Sequence, residues 1–220
     1  MIPSPFEYLT PGTLEEALAL LEEHGDNAKL LAGGHSLIPL MKLRFAAPDV
    51  VIDLGGIQGI REIDLSNGSI TIGALTTHYA IESSDQLAES CPLLPETAAE
   101  IGDVQVRNVG TIGGSLVHAD PAADWPATML ALDAELEISG SGGSRTLPAS
   151  EFFLDMLTTA LEPGEILTRI KVPAAPQRSG SAYVKMHQSA SGFAIAGVAA
   201  QVGLDGEGNC DSVAVGITGV

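Results

Sequence analysis

The chain of 220 residues is poor in cysteine and in basic side chains, and each shortage removes a class of function. Its two cysteines, Cys91 and Cys210, lie far apart in sequence. They cannot build an iron-sulfur cluster, which takes ~4 thiolates, or a cysteine-based zinc site. Any metal redox centre it works with must sit on another chain. Only 10 Lys and Arg stand against 28 Asp and Glu, a formal net charge of -18, and this argues against a nucleic-acid partner, because phosphate backbones are gripped by basic side chains. No apolar run approaches the ~20 residues needed to cross a bilayer. The opening Met1 to Leu9 lacks the basic n-region and apolar stretch of a secretory signal. These absences place the chain in the cytoplasm. What is present is an apolar fraction of 45%, enough to bury a sizeable core in one or two compact domains.

Thr13 to His24 reads as an amphipathic helix with Leu14, Ala17, Leu18 and Leu21 on one face. Thr13 and Glu16 suit a capping box, and Gly25 stops the helix. Lys29 to Ala32 is a short apolar run, Gly33 to Ser36 a glycine-rich turn and Leu37 to Arg44 a second helical pattern ahead of Val50 to Asp53. That makes a strand, loop, helix, strand unit. Short strands follow at Ile60 to Leu65 and Ser69 to Ala74, joined by the hairpin-favouring dipeptide Asn67-Gly68, in a sheet read as antiparallel or mixed. Helices are predicted over Thr76 to Ser83, over Leu94 to Ile101 and from Asp124. Strands are predicted at Glu135 to Ser139, Arg145 to Leu147 and Glu165 to Val172. Pro173 to Gly180 is the candidate linker, and Ser181 to His187, Phe193 to Leu204 and Asp211 to Thr218 are three further strands. The chain stops at Val220 inside an apolar run, which is expected of a fragment or truncated product.

Two glycine-rich segments are the candidate chemistry. An apolar strand leads into Ala32-Gly33-Gly34-His35-Ser36 and then a helix, a place where backbone N–H groups converge on an anion such as a pyrophosphate. An ordinary strand-to-helix turn is the competing reading, and for His35 a structural hydrogen bond competes with a ligand role. The second segment, Thr111-Ile112-Gly113-Gly114-Ser115, has the same character. One dinucleotide touching both explains the pair, with one segment on the pyrophosphate and the other near the isoalloxazine or ribityl chain. Asp124 fits either a helix cap or an acceptor for a ribose hydroxyl. His118, Asp120 and Asp124 admit a single metal site. Neither the dinucleotide fingerprint G-x-G-x-x-G nor a P-loop is present, and without G-x-S-x-G or HExxH a hydrolase is poorly supported.

Taken together, Ala32 to Pro39, Gln105-Val106-Arg107-Asn108, Gly110 to Ser115 and His118 to Asp124, with Lys185 ahead of Ser191-Gly192-Phe193-Ala194, closely resemble one family. It is the FAD-binding medium subunit of carbon monoxide dehydrogenase-like and xanthine dehydrogenase-like molybdenum hydroxylases, and the resemblance extends from Phe6 onward. It implies an α+β fold of the p-cresol methylhydroxylase (vanillyl-alcohol-oxidase) type. Residues 1–55 would form a small α/β lobe, 56–175 a larger lobe with a mixed sheet, and 176–220 the antiparallel start of an incomplete C-terminal domain. It further implies non-covalent FAD, with Ala32, Gly33, Gly34, His35 and Ser36 on the pyrophosphate and Thr111, Ile112, Gly113, Gly114 and Ser115 lining the flavin side. Asp124 would contact the sugar or adenosine portion, with Leu167, Lys185 and Phe193 near the ring. For Phe193 a core position in a strand is the competing reading. The resemblance implies no catalytic residue or metal on this chain. A large subunit would carry molybdopterin and a small one 2Fe-2S clusters, in a dimer of heterotrimers. Many members have an acidic residue where Gly192 stands here.

The competing functions are a stand-alone FAD-dependent oxidase or reductase with its own substrate site, and a nucleotide-free scaffold. Gly34→Val is expected to abolish flavin binding through a clash with phosphate.

Overall fold

The computed structural model describes residues 1–66, 68–175 and 177–220. Asn67 of the predicted hairpin turn and Pro176 of the predicted linker lie outside the described residues.

The N-terminal lobe is a parallel sheet of three strands in the order β1 (Glu7–Leu9), β3 (Val50–Asp53), β2 (Ala28–Leu31). Val50, Val51 and Ile52 are all buried, as expected of a central parallel strand covered on both faces. β1 had no sequence signal beyond three residues next to prolines. Helix α1 (Leu14–His24) packs on this sheet through the fully buried Ala17. Thr13 Oγ1 accepts from the Glu16 amide at 3.2 Å, but the Glu16 carboxylate reaches back to the Gly12 amide at 2.7 Å, one residue beyond the partner of an ordinary capping box. α2 (Leu37–Leu43) follows β2 and ends on Arg44 in the left-handed region.

The second lobe holds a sheet of five strands in the order β4 (Ile63–Ser66), β5 (Ser69–Gly73), β10 (Ile166–Pro173), β6 (Glu135–Gly140), β7 (Gly143–Pro148). Every pairing in it is antiparallel, so the expected mixed sheet is corrected. Ile63, Ile72, Ile170, Leu136 and Leu147 stand in one cross-strand row, the middle three fully buried. Each such buried side chain contributes roughly 2 kcal/mol. Against that face pack α3 (His78–Glu82), α4 (Asp85–Ser90), α5 (Leu93–Ala99), α7 (Ile112–His118), α8 (Asp124–Ala131) and α9 (Ala149–Phe152), while α6 (Val104–Val109), which buries no residue, lies against α3. A short hairpin, β8 (Phe153–Asp155) with β9 (Thr158–Thr159), completes this part.

The last sheet, β11 (Ser179–His187), β12 (Ala194–Leu204) and β13 (Cys210–Thr218), is antiparallel. Tyr183 and Ala199 are buried in the core cluster that holds α5 and α8, while the in-register Val184, Val198 and Ile217 are exposed. The sheet approaches α8 so closely that a Cβ on Gly216 would lie 1.9 Å from the Ala127 carbonyl oxygen. α4 and α6 were not foreseen, and they are only six residues each, too short to show a periodic stripe.

Neither cysteine is in a disulfide. Burial pushes the Cys91 thiol up to about 11, whereas Cys210 is exposed. At pH 8 a thiol reagent is expected to modify Cys210 alone in the folded protein and Cys91 only after denaturant is added.

Candidate functional site

A cavity of about 550 Å³ opens between the two lobes, inside the range of roughly 300–1,000 Å³ common for cofactor sites. Its walls come from the turn after β2, the start of α7, the end of α8's N-terminal approach, β10 and the segment before β12. Ala32, Gly33, Gly34, His35, Ser36, Thr111, Gly113, Gly114, Ser115, Asp124, Leu167 and Phe193 all stand on the wall. Two further expected residues do not. Ile112 is fully buried in the main core, and Lys185 lies behind Asp124.

The two glycine segments turn out to be physically different. Residues Ala32 to Ser36 lie outside regular secondary structure, with Gly34 at φ 71°. Among the described residues, no protein acceptor takes the backbone N–H of Gly33, Gly34, His35 or Ser36. The turn is a run of adjacent unbonded donors ahead of a helix, an arrangement that receives an anion. The second segment is the first turn of α7, capped by Thr111, whose Oγ1 accepts from the Gly114 amide at 3.2 Å. The amides of Ile112, Gly113 and Ser115 bond to Thr76, Ala74 and Thr111 carbonyls at 3.0, 2.9 and 3.1 Å. Its glycines therefore serve close approach. A Cβ on Gly113 would lie 2.5 Å from Ala74 Cβ, and one on Gly33 would lie 2.3 Å from the Val109 carbonyl oxygen and 2.7 Å from Gly110 Cα. The expectation of two equivalent loops is corrected: one presents donors, and the other is a bonded helix turn packed on Ala74, the residues just ahead of it, Val109 and Gly110, being the ones that meet Gly33.

Asp124 is the first residue of α8, and the capping position belongs to Ala123, which makes no side-chain cap. The carboxylate is buried. It accepts from Tyr183 Oη at 2.5 Å and from Lys185 Nζ at 3.0 Å, and Lys185 also donates to the Glu100 carbonyl at 2.9 Å. Burial raises the Asp124 carboxyl above its ordinary value, with Tyr183 and Lys185 opposing the rise. Desolvation and the Asp124 carboxylate together raise the Tyr183 phenol. Leu167 is buried at a bulge in β10, on the wall. Phe193 is 47% exposed at the cavity edge, just before β12, and is not a core residue. The metal reading does not survive: among the described residues no group of His, Cys, Asp and Glu could hold an ion. Asp120 instead caps its own turn, accepting from the Ala122 amide at 2.9 Å.

Sequence reasoning missed His78, which is 3% exposed and lines the cavity. The Trp125 indole donates to its Nδ1 at 3.1 Å. Burial, with help from His35 and Arg107, lowers the His78 imidazole to about 4. Because the folded state rejects its proton, the stability tied to neutral His78 is complete above the unfolded value near 6.5 and is lost as pH falls toward 4. Urea titrations are expected to lose up to about 3 kcal/mol over that window through this group, and His78→Gln should flatten that part of the profile. No motif pointed to His78; a histidine after a capping Thr77 carries no signature. Arg107, part of the quoted motif, bonds Glu82 at 2.7 Å and the Ile101 carbonyl at 3.1 Å and so ties α6 to α3.

A sequence profile described as FAD binding domain in molybdopterin dehydrogenase matches residues 4–175. The chain is 41% identical, over its full length and 76% of the relative's, to the carbon monoxide dehydrogenase medium chain of Afipia carboxidovorans. It is 46% identical to the medium chain of Hydrogenophaga pseudoflava carbon monoxide dehydrogenase, covering 90% of this chain and 69% of that one. The solved structure of the Hydrogenophaga pseudoflava enzyme lacking the Mo-pyranopterin moiety superposes with a TM-score of 0.96 at 43% identity, over 99% of this chain and 76% of that one. The chain belongs to the FAD-binding medium-subunit family of molybdenum hydroxylases, the family of carbon monoxide and xanthine dehydrogenases.

Proposed function

We propose that this protein is the FAD-carrying subunit of a cytoplasmic molybdenum hydroxylase, associated with a molybdopterin large subunit and a 2Fe-2S small subunit in a dimer of heterotrimers. Bound FAD supplies a carrier that takes electrons from the partner's iron-sulfur clusters and delivers them to an external acceptor. The observation that carries this reading is the row of four unbonded amides, Gly33 to Ser36, on the wall of a cavity of fitting volume. These donors hold the diphosphate without any basic side chain, which suits a chain so short of Lys and Arg. Gly114 and Ser115 border the middle of the cofactor, and Leu167 and Phe193 supply apolar contact for the ring. Asp124 offers its carboxylate edge to the sugar, and Lys185 acts by holding Asp124 in place. In domain terms, residues 1–55 and 56–175 enclose the cofactor and 176–220 close one side.

No helix of the described residues is long and apolar enough to cross a membrane. Asp124, a buried carboxylate on the wall, is committed to Lys185 and Tyr183 and so is not available as the base of a substrate oxidation of its own. Purification tests the reading. The protein should bind one FAD per chain and, isolated from its native host, should co-elute with molybdenum and iron. A metal-free preparation that oxidises a small molecule unaided would contradict it.

A further inference from the structure

We propose that His78 is an unassigned cofactor-binding donor whose Nε2–H, fixed in direction by Trp125, bonds the diphosphate of FAD where the two glycine segments meet. This deepens the FAD reading and rests on it.

Tautomer comes first. An indole N–H only donates, so the ring nitrogen that receives it, Nδ1 at 3.1 Å, carries a lone pair and the proton of the neutral ring sits on Nε2. Trp125 is fully buried on α8 and has no room to release the ring. The backbone is fixed as well. His78 donates its amide to the Gly110 carbonyl at 3.0 Å, and Thr77 bridges to Thr111.

Position follows from the glycines. A Cβ on Gly110 would stand 2.9 Å from His78 Nε2, and a Cβ on Gly33 would stand 2.7 Å from Gly110 Cα. Gly110 is therefore in close contact with both the Nε2 edge of His78 and Gly33, and His78 lines the same cavity as the turn whose amides are unbonded. Among the described residues no protein group bonds Nε2, and no buried side-chain nitrogen or oxygen is left without a partner. Nε2 must then be an atom that opens to the cavity His78 lines. The ring is uncharged at neutral pH, since burial lowers it to about 4, and acts as a directed neutral donor.

The test uses two probes, FAD and ADP, which share the diphosphate but not the flavin, titrated calorimetrically into the whole protein. His78→Phe keeps ring volume and removes the donor; it should weaken both probes by at least about tenfold. His78→Gln restores an N–H near the same place and should recover to within about threefold of wild type. If His78→Phe binds both probes like wild type, or loses FAD affinity but not ADP affinity, the assignment is overturned. Should His78→Phe not fold, nitrogen NMR of the 15N-histidine-labelled wild type decides. The proposal requires the proton on Nε2 and a shift of that proton on adding ADP; a proton on Nδ1, or no shift with ADP bound, refutes it. A wild-type protein that binds neither probe overturns the FAD reading itself, an outcome distinct from wild-type binding with an indifferent His78.

Discussion

Gly33→Ala is expected to weaken FAD binding by at least about a hundredfold and to lower stability by about 2–3 kcal/mol. The added carbon would lie 2.3 Å from the Val109 carbonyl oxygen, 2.7 Å from Gly110 Cα and 2.9 Å from the Val109 carbonyl carbon. All three are backbone atoms, so no rotamer change relieves the overlap and the donor turn must lift away from the segment that supports it. FAD titration and urea denaturation of the variant check both numbers. Binding within about threefold of wild type would show that contact between the segments does not set the site. Gly34→Val is damaging for another reason. Its Cβ meets the mobile Ile38 Cδ1 at 2.6 Å, but its φ of 71° lies where a β-branched residue is strained. A backbone conflict therefore adds to the expected clash with phosphate, and Gly34→Asn, which tolerates that region, should bind FAD better than Gly34→Val.

Lys185→Met is expected to cost about 3–5 kcal/mol at neutral pH. Lys185 has a side-chain exposure of 0% and Asp124 of 5%, so removing the ammonium leaves a nearly buried carboxylate without its cation. The loss should depend on pH with a definite sign. Burial already holds the Asp124 carboxyl above its unfolded value, so its contribution is present in acid and lost as pH rises through the folded value. Deleting Lys185 removes an influence that lowers it and widens the difference. The variant should therefore be least stable near neutrality and approach wild type below about pH 4, where Asp124 is protonated in both states. Asp124→Asn combined with Lys185→Met should recover most of the loss, because neutralising both partners leaves no buried charge. A penalty for Lys185→Met that is the same at acid and neutral pH would contradict this account.

Much of the architecture was legible because its local signals agree. Thr13 and Gly25 bracket α1, and the runs read at Val50 to Asp53 and Glu165 to Val172 form strands, at Val50–Asp53 and Ile166–Pro173. The glycine segments were identified as one site, and they do share one cavity. What the residue pattern could not separate was the purpose of each glycine pair. Gly33-Gly34 and Gly113-Gly114 look alike in sequence, yet one pair sits in irregular backbone and the other in a helix whose amides are bonded to Thr76, Ala74 and Thr111. Which amides stay unbonded is decided by tertiary contacts. The same is true of Asp124, read as a cap or a sugar contact: its commitment to Tyr183 and Lys185 depends on a strand about sixty residues away, a distance no local propensity spans. His78 was invisible because its role depends on Trp125 and Gly110 meeting in space.

Hydrogen exchange of the backbone amides with and without FAD reaches the central claim most directly, since it reads the donors one by one. The account predicts fast exchange at Gly33, Gly34, His35 and Ser36 in the free protein and strong protection on adding FAD, with little change at Ile112, Gly113 and Ser115, which are bonded in either state. Saturating FAD that left residues 33–36 unprotected, or that protected the second segment instead, would contradict it.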